Sequence, residues 1–204
     1  MTDLSCPNCG YPVAPALDAA KMATCAACDT TLFLDGPTIR DAGSSGDMHD
    51  APMLFDVGSA VRAGFVMFDV LGHARFDYGP GWWDEFFAVT RDGDHVWVSV
   101  DEGDVILQQP VPDYDCPPIK SPPRLGDVVM FKGQAFRVTE TDAAKCIAVR
   151  GTFPEVLTID TAYQYVNCQS GDGRTLSGEF STGRPDWYLG QWLDPFEIDV
   201  ERRA

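Results

Sequence analysis

Basic side chains are scarce in this sequence: 15 Lys and Arg stand against 31 Asp and Glu, a formal net charge of −16. A phosphate backbone is repelled by such a field, and no local basic patch offsets it, so nucleic acid is not expected as a partner. Long apolar runs are missing too. No stretch approaches the ~20 residues that a membrane span needs. The start, Met1-Thr-Asp-Leu-Ser-Cys6, has neither the basic nor the apolar stretch of a secretory leader. The expectation is a cytoplasmic protein without direct membrane insertion, whose cysteines stay reduced. Seven cysteines, an odd number, cannot all pair within one chain.

Catalytic signatures are also wanting. There is no G-x-S-x-G elbow, no P-loop and no G-x-G-x-x-G after a strand. The three histidines, His49, His73 and His95, share no recognisable spacing and read as exposed or half-buried. No segment sustains the 3.6-residue periodicity of a long helix.

What is present is apolar material for a core, 45% of 204 residues, arranged with period two. Trp83, Glu85, Phe87 and Val89 fall on one face of a strand, and Trp82, Asp84, Phe86 and Ala88 on the other. Asp92-Gly93 then turns the chain into Val96, Val98 and Val100, and Glu102-Gly103-Asp104 turns it again. The fold class is therefore all-β, with a barrel-like antiparallel domain over residues 54–196. Its possible halves, 54–109 and 124–196, are joined by the segment 110–123, whose six prolines forbid a helix or a central strand. A weak repeat links the halves. At an offset of 68, Gly58 falls on Gly126, Val61 on Val129, Phe68 on Phe136 and Val70 on Val138, with later matches of Trp97 to Tyr165, Val98 to Val166 and Gly103 to Gly171. Duplication and chance both account for these matches.

Residues 1–35 carry the strongest motif: Cys6-Pro-Asn-Cys9 and Cys25-Ala-Ala-Cys28, with fifteen residues between the pairs. Each C-x2-C turn bends two thiolates onto one metal, and two such turns match the tetrahedral preference of zinc. The expectation is a zinc ribbon holding one structural zinc per chain, against a redox pair, an iron–sulfur cluster or a degenerate, metal-free ribbon as the competing readings. Residues 36–53, rich in Gly, Ser, Asp and Pro, read as a flexible linker, so that Cys25→Ser would unfold the ribbon and leave the β domain standing. Cys146 and Cys168 sit in apolar strand-like contexts and read as core.

One stretch allows two readings. Trp82, Trp83, Asp84 and Glu85 follow a Gly-Pro-Gly turn. They are the candidate ligand contacts if ring faces and carboxylates act together on a cation, and barrel filling if they are only core, which is the commoner use of aromatics in strands.

Gly58-Ser59 with Gly64, Phe68-Asp-Val70-Leu-Gly72, Trp83-Asp-Glu-Phe86, Gly93 and Trp97 resemble the bacterial family known as domain of unknown function 4178. So do Gly151-Thr-Phe-Pro-Glu155, Tyr163-Gln-Tyr165, Leu176-Ser-Gly-Glu-Phe180 and Trp187-Tyr-Leu-Gly190. The resemblance implies a β domain that carries an N-terminal zinc ribbon in some members. It also implies an accessory role near polyamine-linked or envelope-stress systems, without catalytic residues to transfer. Two functions follow as expectations. The first is a non-enzymatic binding or adaptor module with an unknown protein partner or a cationic small molecule as ligand. The alternative is an enzyme, or enzyme subunit, in polyamine-linked metabolism acting on such a cation.

Overall fold

The computed structural model describes residues 4–35, 38–49, 51–181 and 183–201. Among them the only helical element is a 3-10 turn at Pro195–Glu197, and no helix is long and apolar enough to cross a membrane. The fourteen strands are β1 (Met22–Thr24), β2 (Thr30–Asp35), β3 (Thr38–Ser44), β4 (Ala60–Ala63), β5 (Val66–Asp77), β6 (Trp82–Thr90), β7 (His95–Asp101), β8 (Asp104–Pro110), β9 (Val128–Phe131), β10 (Gln134–Phe153), β11 (Ala162–Ser170), β12 (Arg174–Phe180), β13 (Asp186–Leu193) and β14 (Ile198–Glu201).

Eight of them close into an antiparallel barrel. β5 to β8 form one meander and β10 to β13 another; β8 joins β13, and β5 joins β10. Each meander opens with an extra hairpin strand. β4 pairs with the first part of β5, and β9 with the first part of β10. The later parts of β5 and β10 then pair with each other, Phe76 opposite Cys146 and Gly72 opposite Gly151.

The 68-residue repeat is present in this backbone, but only in part. Val61 pairs with Phe68 as Val129 pairs with Phe136. Gly58 N–H donates to Val70 as Gly126 N–H donates to Val138. A β-bulge follows at the same place in each half, between Val70 and Gly72 and between Val138 and Glu140. Beyond the bulge the spacing changes. Trp97 opposite Gln108 matches Ser177 opposite Tyr188, an offset of 80. The later sequence matches, Trp97 with Tyr165 among them, therefore join strands that are not equivalent. The second half carries 12 more residues than the first between bulge and next strand, used to prolong β10 and to form the loop 154–161.

The bulges decide what faces inward. A one-residue insertion reverses the alternation of a strand. Phe68 and Val70 lie in an outer apolar cluster with Phe55, Val61, Phe86, Val96 and Val98, whereas Ala74 and Phe76, past the bulge, lie in the inner cluster with Phe87, Trp97 and Phe153. In the second half Phe136, Val138, Val166, Leu176 and Trp187 form the matching outer cluster. The proline-rich segment covers it through Val111, Cys116 and Ile119. Cys146 and Cys168 are buried, in the inner and the second outer cluster.

The stretch expected as a linker is structured over much of its length. β3 pairs with β2 along Thr38–Ser44, and Gly46 bridges Ala148 of β10. Arg150 donates to the Met48 carbonyl at 3.1 Å, and Arg75 to that of His49 at 3.0 Å. Polar composition hid this because the segment is tied down by backbone groups rather than by apolar side chains; residues 36, 37 and 50 lie outside the described residues. The ribbon is joined to the barrel as well, since β1 pairs with β2 on one edge and with Thr152–Phe153 of β10 on the other.

Candidate functional site

Two places concentrate chemistry. The first is the N-terminal thiol cluster. The turn after Cys6 is closed by Gly10 N–H to the Cys6 carbonyl, and that after Cys25 by Asp29 N–H to the Cys25 carbonyl. Both turns end in a residue at positive φ, Gly10 at 74° and Asp29 at 55°, which curls the chain back around the sulfurs. All four Sγ atoms lie within 4.8 Å of one another, with Cys6 and Cys28 3.8 Å apart and Cys9 and Cys25 3.7 Å apart. No disulfide links them. The Thr30 hydroxyl, 3.2 Å from Cys28 Sγ, pulls that thiol down to about 6. Asn8 steadies the same corner, donating to Thr30 at 2.8 Å. Four converging thiols with polar support form a site that could hold one metal ion.

The second is the barrel lumen, a cavity of about 180 Å³. Eight strands enclose an interior just wide enough for a small ligand. Among the described residues, six carboxylates line it, Glu85, Asp101, Asp104, Glu140, Glu155 and Glu179, and no Lys, Arg or His does. The walls between them are aromatic. Trp83 stacks on Phe76 at 5.3 Å and meets Tyr165 edge-on at 5.2 Å. Trp97, also in the wall, stacks on Phe153 at 6.0 Å.

The carboxylates fall into two groups by the fields they exert on one another. Burial pushes Glu85 up to about 7, against hydrogen bonds from Ser99 and from Trp83 Nε1, the latter at 3.0 Å. Burial likewise pushes Glu155 up to about 7, reinforced by Asp186 and countered by Lys21. Glu179 goes to about 8, by burial and then by the charges of Glu155 and Glu85. These three keep part of their surface open because they face cavity rather than packed protein. Asp101 is raised by burial and by Glu102, Glu140 and Asp104, which marks the second group. Glu140 itself accepts from the Tyr165 hydroxyl at 2.9 Å and from Asn167 at 2.8 Å. Gln108 on β8 adds a neutral acceptor: it is 7% exposed, it lines the lumen, and its Oε1 has no hydrogen-bond partner.

Of the four candidate ligand contacts, the structure separates two from two. Trp83 and Glu85 point into the lumen. Trp82 is 47% exposed on the outer face, 5.5 Å over Arg75. Asp84 is held in a buried cluster there, with Arg75 Nε at 2.8 Å, Arg75 Nη2 at 3.1 Å and His73 Nε2 at 2.7 Å. Burial alone would raise Asp84, but the bonds from His73 and Arg75 outweigh it and hold the carboxyl below its usual range. His73, expected to be exposed or half-buried, is 1% exposed and stacks on Phe86 at 4.4 Å. The bulge after Val70 puts it on the outer apolar face, where Asp84 gives it a partner. Sequence reasoning missed Glu155, Glu179, Asp101, Asp104 and Glu140; the signal available for the first two was a carboxylate one or two residues from a strand aromatic, in Ser177-Gly-Glu179-Phe180 and Phe153-Pro-Glu155.

The model of the family described as a domain of unknown function (DUF4178) matches residues 56–195, and the chain belongs to that family. The matched span begins ahead of β4 and ends within the turn that precedes β14, so it contains the whole barrel and not the thiol cluster. No curated protein and no solved structure matches the chain.

Proposed function

We propose that this member of the family is a non-enzymatic binding module: a barrel whose lumen takes a small organic cation, carrying a ribbon held by one structural zinc ion. The observation that carries the first part is the lining of the lumen, six carboxylates with no basic side chain beside them among the described residues. Such a lining concentrates negative potential in a low-dielectric space, and a cation relieves it. The aromatic walls formed by Trp83, Tyr165, Phe76 and Trp97 supply ring faces for the same charge. The unpartnered Gln108 oxygen offers an acceptor to an N–H donor. A bare metal ion fits less well, since among the described residues only the four cysteines bring three or more donor atoms within reach of one ion.

For the ribbon, the donor set supports zinc. Four sulfurs at about 2.3 Å from a tetrahedral zinc stand about 3.8 Å apart, against Sγ separations of 3.7 and 3.8 Å. Zinc there supplies a cross-link, with Cys6, Cys9, Cys25 and Cys28 filling its coordination and no position left for substrate. A reducing cytoplasm is the compartment that keeps these thiols available.

The reading is tested by titrating the metal-loaded protein with spermidine, choline and 1,5-diaminopentane, following tryptophan fluorescence at low and high salt. At least one cation binds at low salt and binds more weakly at high salt, and Glu179→Gln weakens it tenfold or more. Failure of all three at low salt removes the cation reading; binding indifferent to salt points to an apolar ligand instead. Metal analysis of the purified chain returns one zinc per molecule, and iron or no metal removes the zinc assignment.

A further inference from the structure

We infer that the ribbon braces the wall of the ligand cavity from behind, so that metal occupancy of the four thiols sets the lumen's affinity for its cation. This rests on the reading of the lumen as a ligand site, and the connection is structural. The 12 residues by which the second half exceeds the first prolong β10 and form the loop 154–161. That one insertion has two roles. Its loop supplies Glu155 and Leu157 to the lumen, and its strand end receives the ribbon through β1.

The loop contains no strand, and its ties are few. Leu157 N–H donates to Met22 Sδ at 3.4 Å, Thr158 N–H to the Tyr163 hydroxyl at 3.1 Å, and Asp160 N–H to the Cys146 carbonyl at 2.8 Å. The first of these comes from the ribbon. Met22 is 0% exposed and packs in the inner cluster with Trp97, Leu157 and Tyr188, three residues that line the lumen. Leu17 and Phe33 of the ribbon pack against the same cluster. The backbone of the neighbouring Lys21 donates to the Phe153 carbonyl at 3.0 Å, and its charge pulls against the upward shift of Glu155. The ribbon therefore packs behind three residues of the cavity wall, without lining the cavity itself, and its Lys21 counters the upward shift of one of the lining carboxylates.

What fixes that backing is the thiol cluster. β1 is three residues long and ends at Thr24, immediately before Cys25. Its outer edge rests on β2, which begins at Thr30, the partner of Cys25 and Cys28. A segment of this length does not build its own core without metal. Loss of the ion releases β1, and with it Met22, Lys21 and the loop.

The experiment compares full-length protein loaded with zinc, stripped by chelator under reducing conditions, and carrying Cys9→Ser with Cys28→Ser. Hydrogen exchange and spermidine affinity are both measured. The expected result is that stripping removes protection from residues 151–161 while β6–β8 and β11–β13 keep theirs, and that spermidine binding weakens at least tenfold. Met22→Ala, read in the metal-loaded state with zinc content unchanged, weakens binding in the same direction. Unchanged protection of 151–161 after stripping overturns the coupling, as does an affinity that ignores the metal. If spermidine fails to bind the loaded protein, the cation reading has failed, and the exchange pattern alone then decides whether ribbon and lumen are coupled.

Discussion

A carboxylate in the wall of a closed barrel is held more protonated than it would be in water, and this has a sign that can be measured. Glu85, Glu155 and Glu179 rise from an ordinary 4.5 to about 7, 7 and 8. The folded chain then keeps protons that the unfolded chain releases, so stability is full below about pH 4.5 and declines as pH rises toward about 8. Thermal melts of the ligand-free protein between pH 5 and 8 show Tm falling with pH, and Glu179→Gln flattens the slope; a Tm that climbs across that window refutes the assignment. Asp84 behaves in the opposite way. Its depressed pKa stabilises the fold above its ordinary 3.8, and that contribution is lost only as pH falls lower still. Asp84→Asn leaves Arg75, 0% exposed, without its counter-charge, and costs about 3–5 kcal/mol in denaturant unfolding. Joint replacement, Arg75→Met with Asp84→Leu, recovers part of the loss, whereas a structural role confined to Asp84 predicts no recovery. These two neighbours show what was legible in the sequence. Period two assigns Asp84 and Glu85 to opposite faces, and the strand places them so. Which face looks into the lumen depends on how the sheet curls, and one strand holds no information about that. Glu179 stayed hidden for a related reason: an acid in a strand ordinarily marks the solvent side, and here the inside is polar.

At the scale of elements, hairpins were the readable unit and pairings between distant strands were not. Turns such as Asp92-Gly93 and Glu102-Gly103 are local chemistry, and β6, β7 and β8 follow from them in order. The hairpin repeat was visible because it keeps both spacing and residue type through Gly58 and Gly126. It fades where the second half lengthens, since every later match is then out of register by 12 positions. The junction of β5 with β10 has no local signature at all, yet it leaves a mark in glycine. Gly151 adopts φ +84°, and a Cβ there would stand 2.2 Å from the Leu71 carbonyl oxygen. Gly151→Ala is expected to cost at least about 1 kcal/mol, as strain at a left-handed position plus the clash. Urea unfolding measures it, and a wild-type midpoint refutes the close approach. The polar stretch ahead of the barrel was misread because composition reports what a segment can bury, while β3 and Gly46 are held by backbone hydrogen bonds.

For the molecule as a whole, the structure removes the independence that the sequence implied between ribbon and barrel. A flexible tether would let a Cys25→Ser ribbon unfold alone; β1 lying against β10 makes that substitution felt at Glu155 and Leu157. The barrel has a larger consequence of its own. Each meander presents two edges to the other: β8 pairs along β13, and the later part of β5 pairs with the later part of β10, while the first parts of β5 and β10 are covered by their own hairpin strands β4 and β9. The proline-rich stretch is the covalent link between them. Cutting the chain there leaves two fragments that are each other's template, so co-expressed pieces ending and restarting near residues 115–120 should reassemble into one particle by size-exclusion chromatography, while either piece alone aggregates through its open edges. If a single piece stays soluble and monomeric, the junctions are not what closes the barrel. In these terms the barrel is a heterodimer that happens to be synthesised as one chain, with its lumen at the subunit boundary.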